Sequence, residues 1–271
     1  GLYFLEPAKT PRPGNNPHLN KNVITIKWAA QKTVASNVTG INAALNDRGF
    51  PLIFIGLVVS INKSIDKVLI QYFLGSEDVG VYVISERLAF FLIVISSSIT
   101  KLLFPSFSNL YSTNNLDRIR RLSQLSSKYV SQLIIPIIIT FLIFSDNILF
   151  ILFGPDSVKS ANILRVLIIS AYVLAVSLPY SIQISSTGFL KNNFIISISS
   201  LMINLIFNIF LIPEEFLGIA TLGLGAIGAA YSFLLSAMFM AFTGIYFSFK
   251  ITQTTFYYKI WKHLFSLTLV Y

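Results

Sequence analysis

PLIFIGLVVSINKSIDKVLIQYFLG (residues 51–75) is long enough to cross a bilayer as one helix, yet it contains Lys63, Asp66 and Lys67. A charged group at the bilayer centre costs roughly 2.5–3.5 kcal/mol even on the most lenient insertion scale. A helix turns about 100° per residue, so the three charges lie within about 140° of Asn62, and aliphatic residues occupy the other side. We therefore predict an amphipathic membrane helix with one face towards lipid and a polar face towards protein or water.

The composition predicts that most of the chain is embedded in a membrane. Of its 271 residues, 54% are hydrophobic and 11% are charged, and the mean hydropathy is +0.72. A soluble domain has about 25% charged residues. Apolar segments long enough to span a bilayer occur at residues 51–73, 79–103, 128–153, 161–183, 194–212 and 222–249, and a seventh begins near residue 261. We predict an all-α, polytopic transmembrane helix bundle over residues 50–271, with six full spans plus partial spans.

The loops between these segments predict the orientation in the membrane. The connectors GSEDVG (75–80) and PEEFLG (213–218) contain no basic residue, whereas the alternate connectors are basic. By the positive-inside rule, residues 6–49 are cytoplasmic and residues 75–80 lie outside. We expect a multi-pass protein of the cell membrane in which residues 1–49 form a cytoplasmic polar linker, and residues 1–5 could end an earlier span.

The net charge of +9 does not predict a nucleic-acid partner. The basic residues are scattered over four loops rather than gathered into one patch, so the charge mainly signals orientation and could also contact anionic lipid. Between residues 106 and 127, leucine and isoleucine recur at helical spacing beside three arginines. This segment is either a short amphipathic helix on the cytoplasmic interface or a solvated loop.

Several kinds of catalytic and cofactor site are not encoded. The chain has no cysteine, its two histidines (His18 and His263) are far apart, and it has no P-loop. GLGAIG (223–228) matches the dinucleotide-binding fingerprint, but no strand precedes it and no acidic residue follows it. Small residues at this spacing favour close helix packing. We predict no cofactor, no metal and no enzymatic activity.

The charged residues of the first two spans are predicted to form one layer. Asp66 lies seven residues before the end of the first span and Glu86 seven residues after the start of the second, each about 10 Å below the outer surface. The hairpin would then bring them together with Lys63, Lys67 and Arg87. In one interpretation, ion pairs (Asp66 with Arg87, or Lys67 with Glu86) only hold the hairpin.

In the other, compatible interpretation, the layer lines a cavity. Lys63, Lys67 and Arg87 would bind an anionic substrate, and Asp66 and Glu86 would exchange a coupling ion. Arg165 and Asp146 could join this layer, although side chains that reach for the outer interface explain them equally well.

Five stretches, in order along the chain, carry a family resemblance. They are RGFPLIF (48–54), IDKVLIQYFLGSEDVGVYVISERL (65–88), LFPSFSNLYS (103–112), FGPDSVKSANILRVL (153–167) and NIFLIPEEFLGIATLGLGAIGAAYS (208–232). Together they resemble the C-terminal half of polysaccharide-exporter flippases, the Wzx-like branch of the multidrug/oligosaccharidyl-lipid/polysaccharide transporter superfamily. Val158 departs from that pattern, in which tyrosine is frequent at this position.

The resemblance implies the C-terminal lobe of a two-lobed transporter. Such a protein flips a lipid-(pyro)phosphate-linked oligosaccharide across the cytoplasmic membrane by alternating access. Its partners would be that substrate, membrane lipids and the N-terminal half of the same polypeptide, of which this chain would be an internal piece. The resemblance carries an acidic role to Asp66 and basic roles to Lys67 and Arg87, whereas Lys63 rests on helical geometry. A drug/cation antiporter, a lipid II flippase and a membrane glycan polymerase or ligase remain alternatives.

Overall fold

The computed structural model describes residues 50–255, with side chains from residue 54 onwards. Seven α-helices, one 3₁₀ helix and a two-stranded antiparallel hairpin make up this part of the chain. In order they are α1 (Phe50–Phe73), α2 (Ser76–Lys101), α3 (Phe104–Ser112), α4 (Leu116–Phe153), the 3₁₀ helix (Pro155–Ser160), α5 (Ala161–Ser186), α6 (Leu190–Leu211), β1 (Glu215–Phe216), β2 (Ile219–Ala220) and α7 (Ala226–Thr252). The polar linker and the seventh span lie outside the described residues.

The all-α, polytopic fold class is confirmed. Five helical segments of the described chain are long and apolar enough to cross a membrane: Ser76–Ser112, Leu116–Phe153, Pro155–Ser186, Leu190–Leu211 and Ala226–Thr252. Helix α1 is not among these five. At 24 residues it is about 36 Å long, longer than a hydrocarbon core of about 30 Å, and it is the helix that contains Lys63, Asp66 and Lys67.

Helix α5 lies at the centre of the bundle. It packs closely against α7, α2 and α4, and α6 packs mainly against α7. Serine hydroxyls of the neighbouring helices donate to α5 carbonyls: Ser96 Oγ lies 2.9 Å from the Ala175 oxygen and Ser127 Oγ 3.0 Å from the Val176 oxygen. Small polar residues of this kind let membrane helices approach each other and satisfy their hydroxyls inside the bundle.

One end of the bundle is called the basic end here, because α2 ends there at Lys101 and α6 begins there with Lys191 in its first turn. A buried glutamine joins α4, α5 and α7 at this end. The Gln183 side chain accepts hydrogen bonds from Ser123 and Ser248 and donates to Thr252 and Thr254. A fully satisfied polar network inside a membrane bundle holds the three helices in a defined register.

Two segment boundaries differ from expectation. The stretch at residues 106–127, expected to be a short amphipathic helix or a loop, lies in α3 and in the start of α4. Helix α4 begins at Leu116 and continues without a break into the membrane-spanning segment. Asn115 caps it, since its side chain accepts a hydrogen bond from the Arg118 amide. The last described span begins at Ala226 rather than near residue 222, because Gly223 and Gly225 adopt positive φ angles in the turn before α7.

The packing role expected for the GLGAIG glycines is confirmed at Gly228. A Cβ atom at this position would lie 2.4 Å from the carbonyl oxygen of Leu211, at the end of α6. Only glycine lets the first turn of α7 approach the α6 backbone so closely. This contact sets the position of the last turns of α6, which carry Asn204 and Asn208.

Candidate functional site

Helix α1 presents a four-residue repeat to the rest of the bundle. Val58, Asp66 and Ile70 are buried, and Asn62 is half-buried between them. Residues four apart lie on one helix face, so a single stripe carries both the apolar contacts and one carboxylate. The Asp66 side chain is only 2% exposed. An aspartate at this depth needs hydrogen-bond partners or a proton to offset the loss of water.

The partners of Asp66 are neutral. Tyr82 of α2 donates its hydroxyl to Oδ2 over 3.1 Å, and Asn208 of α6 donates its amide to Oδ1 over 2.7 Å. The Asn208 amide also donates to Asn204 Oδ1, at 3.0 Å. No ion pair to Asp66 occurs among residues 54–255. These residues (Asp66, Tyr82, Asn204 and Asn208) are called the Asp66 cluster below.

The Asp66 cluster and Asn62, one turn before Asp66 on α1, have unused hydrogen-bonding capacity. Within the described chain, Oδ1 of Asn62, Oδ1 of Asn208 and Nδ2 of Asn204 are buried and have no partner. Two carboxamide oxygens and a carboxylate are acceptors or hard ligands that a proton or a small cation satisfies. Unpaired acceptor oxygens thus lie on the same buried helix faces as the Asp66 carboxylate.

Lys67 and Glu86 form the ion pair that ties α1 to α2. Lys67 Nζ lies 2.7 Å and 2.9 Å from the two carboxylate oxygens of Glu86, and it also donates to the backbone carbonyl of Lys63. The side chains are 28% and 13% exposed, respectively. Of the two pairs considered from the sequence, this one is present, whereas Asp66 contacts Tyr82 and Asn208 instead of Arg87.

Removing one partner of this pair should destabilise the protein more than removing both. Lys67→Met leaves the Glu86 carboxylate largely buried without its cation, which should lower the free energy of unfolding by about 2–3 kcal/mol, less than the loss for a fully buried pair. Lys67→Met with Glu86→Leu should recover most of that loss. Thermal unfolding in detergent measures both, and a double variant as unstable as the single one would contradict the argument.

Lys63 and Arg87 have exposed side chains that make no hydrogen bond or ion pair with the described residues. Lys63 lies at a cavity of about 220 Å³ between α1 and helices α2, α5, α6 and α7. The cavity walls are largely aliphatic and aromatic, including Val58, Phe90 and Met240, with serines of α6 and α7 among them. This cavity separates part of α1 from the helices behind it, and α1 has no neighbour among the described helices as close as α5 and α7 are to each other.

Comparison with known proteins places the chain in a family. Residues 23–162, just over half of the chain, match the model of a family described as polysaccharide biosynthesis protein. The chain belongs to this family. The match includes α1 to α4 and so contains all five charged residues expected to form the polar layer. The resemblance stated from the hairpin motifs is confirmed at the level of the family.

A relative of known description supports the same assignment. The probable flippase AglR of Haloferax volcanii is 26% identical over 176 residues, which are 64% of this chain and 35% of that protein. The polysaccharide biosynthesis family member described here thus spans about a third of the length of this relative. No solved structure matches the chain.

Arg165 and Asp146 pair with each other in this family member. The Arg165 guanidinium donates to Asp146 Oδ2 and, over 2.8 Å, to Asn162 Oδ1. The Arg165 and Asp146 side chains are 36% and 47% exposed. Their exposure fits side chains that reach for the interface. Within residues 54–255 neither side chain hydrogen-bonds to the Asp66 cluster.

Sequence reasoning missed Tyr82, Asn204 and Asn208. A signal for the two asparagines was present, because they lie four residues apart in α6, a helix with no charged residue after Lys191. Asparagine in an apolar membrane helix hydrogen-bonds to a neighbouring helix. The partner could not be read from the sequence, since Asp66 and Asn208 are 142 residues apart.

Proposed function

We propose that this chain is one lobe of a membrane transporter, rather than an enzyme, that flips a lipid-(pyro)phosphate-linked oligosaccharide across the cell membrane. Three facts support the proposal. The chain belongs to a polysaccharide biosynthesis family, it is similar to a protein described as a probable flippase, and it has charged residues of both signs within its membrane helices. Ionisable residues in such positions mark substrate and ion pathways.

The single observation that carries this proposal is that some of the five charged residues are paired with each other and others are not. Lys67 and Glu86 neutralise each other, whereas Lys63 and Arg87 keep their charges exposed. Two exposed cations on adjacent helices suit the phosphate groups of a lipid-linked sugar. Exchange of a coupling ion at Glu86 would release the Lys67 ammonium group from the ion pair to join them.

Asp66 would couple transport to an ion. Its carboxylate connects α1 to α2 and α6 through Tyr82 and Asn208, and a cavity lies beside the same helix. Binding or loss of a proton or sodium ion changes the charge of the Asp66 cluster, and with it the free energy that holds α1 against α2 and α6. Alternating access would then follow from movement of α1 towards or away from the cavity.

The proposal also covers the parts of the system beyond the described residues. Residues 6–49 would be cytoplasmic, and the N-terminal half of the same polypeptide would supply the facing lobe. The share of the Haloferax volcanii relative covered by this chain, 35%, is compatible with one lobe of a larger transporter.

Loss of the two exposed cations should stop transport without loss of the protein. In the full-length protein, Lys63→Ala with Arg87→Ala should reduce glycan export to the level of a deletion strain, because two phosphate-binding charges are gone. Membrane abundance should stay at the wild-type level, since neither side chain pairs with the described chain. Export is measured as surface glycan, and abundance by immunoblot of membranes.

Two further variants make this test specific. Lys63→Arg with Arg87→Lys keeps both charges and should keep part of the export. Lys191→Ala removes an exposed cation of the basic end and should leave export unchanged. Wild-type export by the double alanine variant would contradict the assignment of Lys63 and Arg87, and drug efflux without any glycan defect would contradict the proposed substrate.

A further inference from the structure

Helix α3 and the start of α4 face each other across a groove at the basic end. The groove has a volume of about 620 Å³. Each wall is a row of four residues, in which the later three follow the first by three, four and seven positions. The α3 side provides Ser106, Asn109, Leu110 and Thr113, the α4 side provides Arg118, Arg121, Leu122 and Leu125, and Asn115 lies in the turn between them. Residues at this spacing share one helix face, so the groove is a continuous surface rather than a gap between loops.

The opposite faces of both helices are fixed to the bundle. Phe107 of α3 and Ile119 of α4 are completely buried, and Ser123 of α4 hydrogen-bonds to Gln183 of α5 at 2.5 Å. Arg120 is also engaged, because its guanidinium donates to the Thr252 carbonyl, to Gln253 and to Asp117. The groove walls are therefore held by contacts that lie outside the groove.

Arg118 and Arg121 differ from Arg120. Their side chains are exposed, line the groove and make no hydrogen bond or ion pair with the described residues. The nearest carboxylate along the chain, Asp117, is 90% exposed and bound to Arg120. No acidic residue lines the groove. Two uncompensated guanidinium groups in one groove suit an anion that accepts bidentate hydrogen bonds, above all a phosphate.

The length of α4 indicates that the groove lies at the depth of lipid headgroups. From Arg121 this helix extends about 35 Å to Phe144, where its backbone is non-helical and the helix kinks, and nine more residues follow to Phe153. A bilayer with its headgroups is about 40–45 Å thick. Along α4 the groove changes from arginine to leucine in the direction of the membrane, and Tyr129, one turn further, is 61% exposed. An anionic end and an apolar end in this order match a lipid rather than a free ion.

We propose that the groove between α3 and α4 binds the headgroup of an anionic glycerophospholipid. Its phosphate lies between Arg118 and Arg121, and the first carbons of its acyl chains lie on Leu122 and Leu125. The bound lipid anchors the α3–α4 corner in one leaflet. This site is separate from the Asp66 cluster and does not depend on the substrate proposed above.

Lipid retention by the full-length protein tests this site. The protein is exchanged into nanodiscs made from equal parts of phosphatidylglycerol and phosphatidylcholine and then released for native mass spectrometry. We expect the wild type to retain phosphatidylglycerol in preference to phosphatidylcholine. Arg118→Gln with Arg121→Gln should weaken that retention about thirtyfold, since each basic residue near an anionic lipid contributes about 1 kcal/mol.

Controls separate the site from general surface charge and from misfolding. Lys191→Gln with Lys250→Gln removes two exposed cations outside the groove and should leave retention unchanged. Arg118→Lys with Arg121→Lys should keep part of it, and all variants should elute as the wild type does in gel filtration. Inorganic phosphate should fail to displace the bound lipid.

Four results would overturn the proposal. They are equal retention by the wild type and the double glutamine variant, equal loss in the Lys191/Lys250 control, full displacement of the lipid by inorganic phosphate, and replacement of phosphatidylglycerol by a polyprenyl phosphate when both are present. The last result would assign the groove to a prenyl lipid instead.

Discussion

Asp66→Asn should abolish transport while leaving the protein at least as stable as the wild type. Asparagine has nearly the same shape as aspartate and can still accept a hydrogen bond from Asn208 and exchange one with Tyr82. The variant removes only the charge and the ability to bind a proton or a cation. Because the side chain at this position is 2% exposed, loss of the charge also removes the free-energy cost of burying a carboxylate.

Glycan export and thermal stability should therefore change independently in this variant. Glycan export by the full-length variant should fall to the level of a deletion strain, whereas the melting temperature in detergent should be unchanged or higher. A purely structural role of Asp66 predicts the opposite, namely reduced stability with export in proportion to the remaining folded protein. Retained export by a stable Asp66→Asn variant would exclude Asp66 as the ion-coupling residue.

Asp146→Asn is the matched control for this experiment. Asp146 is also an aspartate of a membrane-spanning helix, but it is 47% exposed and pairs with Arg165. Its replacement should leave export unchanged. Exchange of sodium for choline in the assay, at fixed pH, then tells whether the ion that acts through the Asp66 cluster is sodium or a proton.

The fold was largely predictable because apolar length and loop charge are local properties. The spans expected at residues 161–183 and 194–212 differ from α5 and α6 by no more than four residues at either end. The β1–β2 hairpin was not expected, since each strand has only two residues. The continuity of α4 from Leu116 was also missed. Hydropathy ends a span where charge begins, but a capped helix continues into water as long as nothing breaks it.

The charged part of the candidate site was predictable and its neutral part was not. Helical angle and depth placed Lys67 opposite Glu86, and the two residues form an ion pair. The same reasoning considered Arg87 as a partner for Asp66, because opposite charges were the only partners it weighed. The observed partners are a tyrosine and an asparagine. Such neutral partners depend on how α6 packs against α1, and that is a tertiary property which helix periodicity does not contain.

Gly228→Ala should disrupt the bundle although it adds a single methyl group. The new Cβ would lie 2.4 Å from the carbonyl oxygen and 2.7 Å from the carbonyl carbon of Leu211. Backbone atoms cannot move aside as a flexible side chain can. Here the α6 end is also held by the segment before α7, since the Leu224 amide donates to the Leu211 oxygen and the Gly225 amide to the Ile212 oxygen.

The expected loss in the free energy of unfolding is therefore large for the addition of one methyl group. Forced overpacking of this kind costs about 1–3 kcal/mol in a core that can adjust, and we expect at least about 3 kcal/mol here, because the neighbouring atoms belong to a hydrogen-bonded backbone. Fluorescence-detected gel filtration after heating measures the shift in melting temperature. Gly228→Val should abolish the monodisperse peak altogether.

Gly80→Ala provides the matched control. Gly80 also lies inside a helix, but a Cβ at this position would meet no atom within 4 Å, so alanine should raise stability by about 0.5–1 kcal/mol through its better helix propensity.

The Gly228 contact is also one turn from Asn208, which donates to Asp66. Any Gly228→Ala protein that survives should therefore export less glycan per folded molecule than the wild type. A Gly228→Ala variant with wild-type stability would mean that α6 and α7 can separate without cost, and the position assigned to Asn208 would then lose its support.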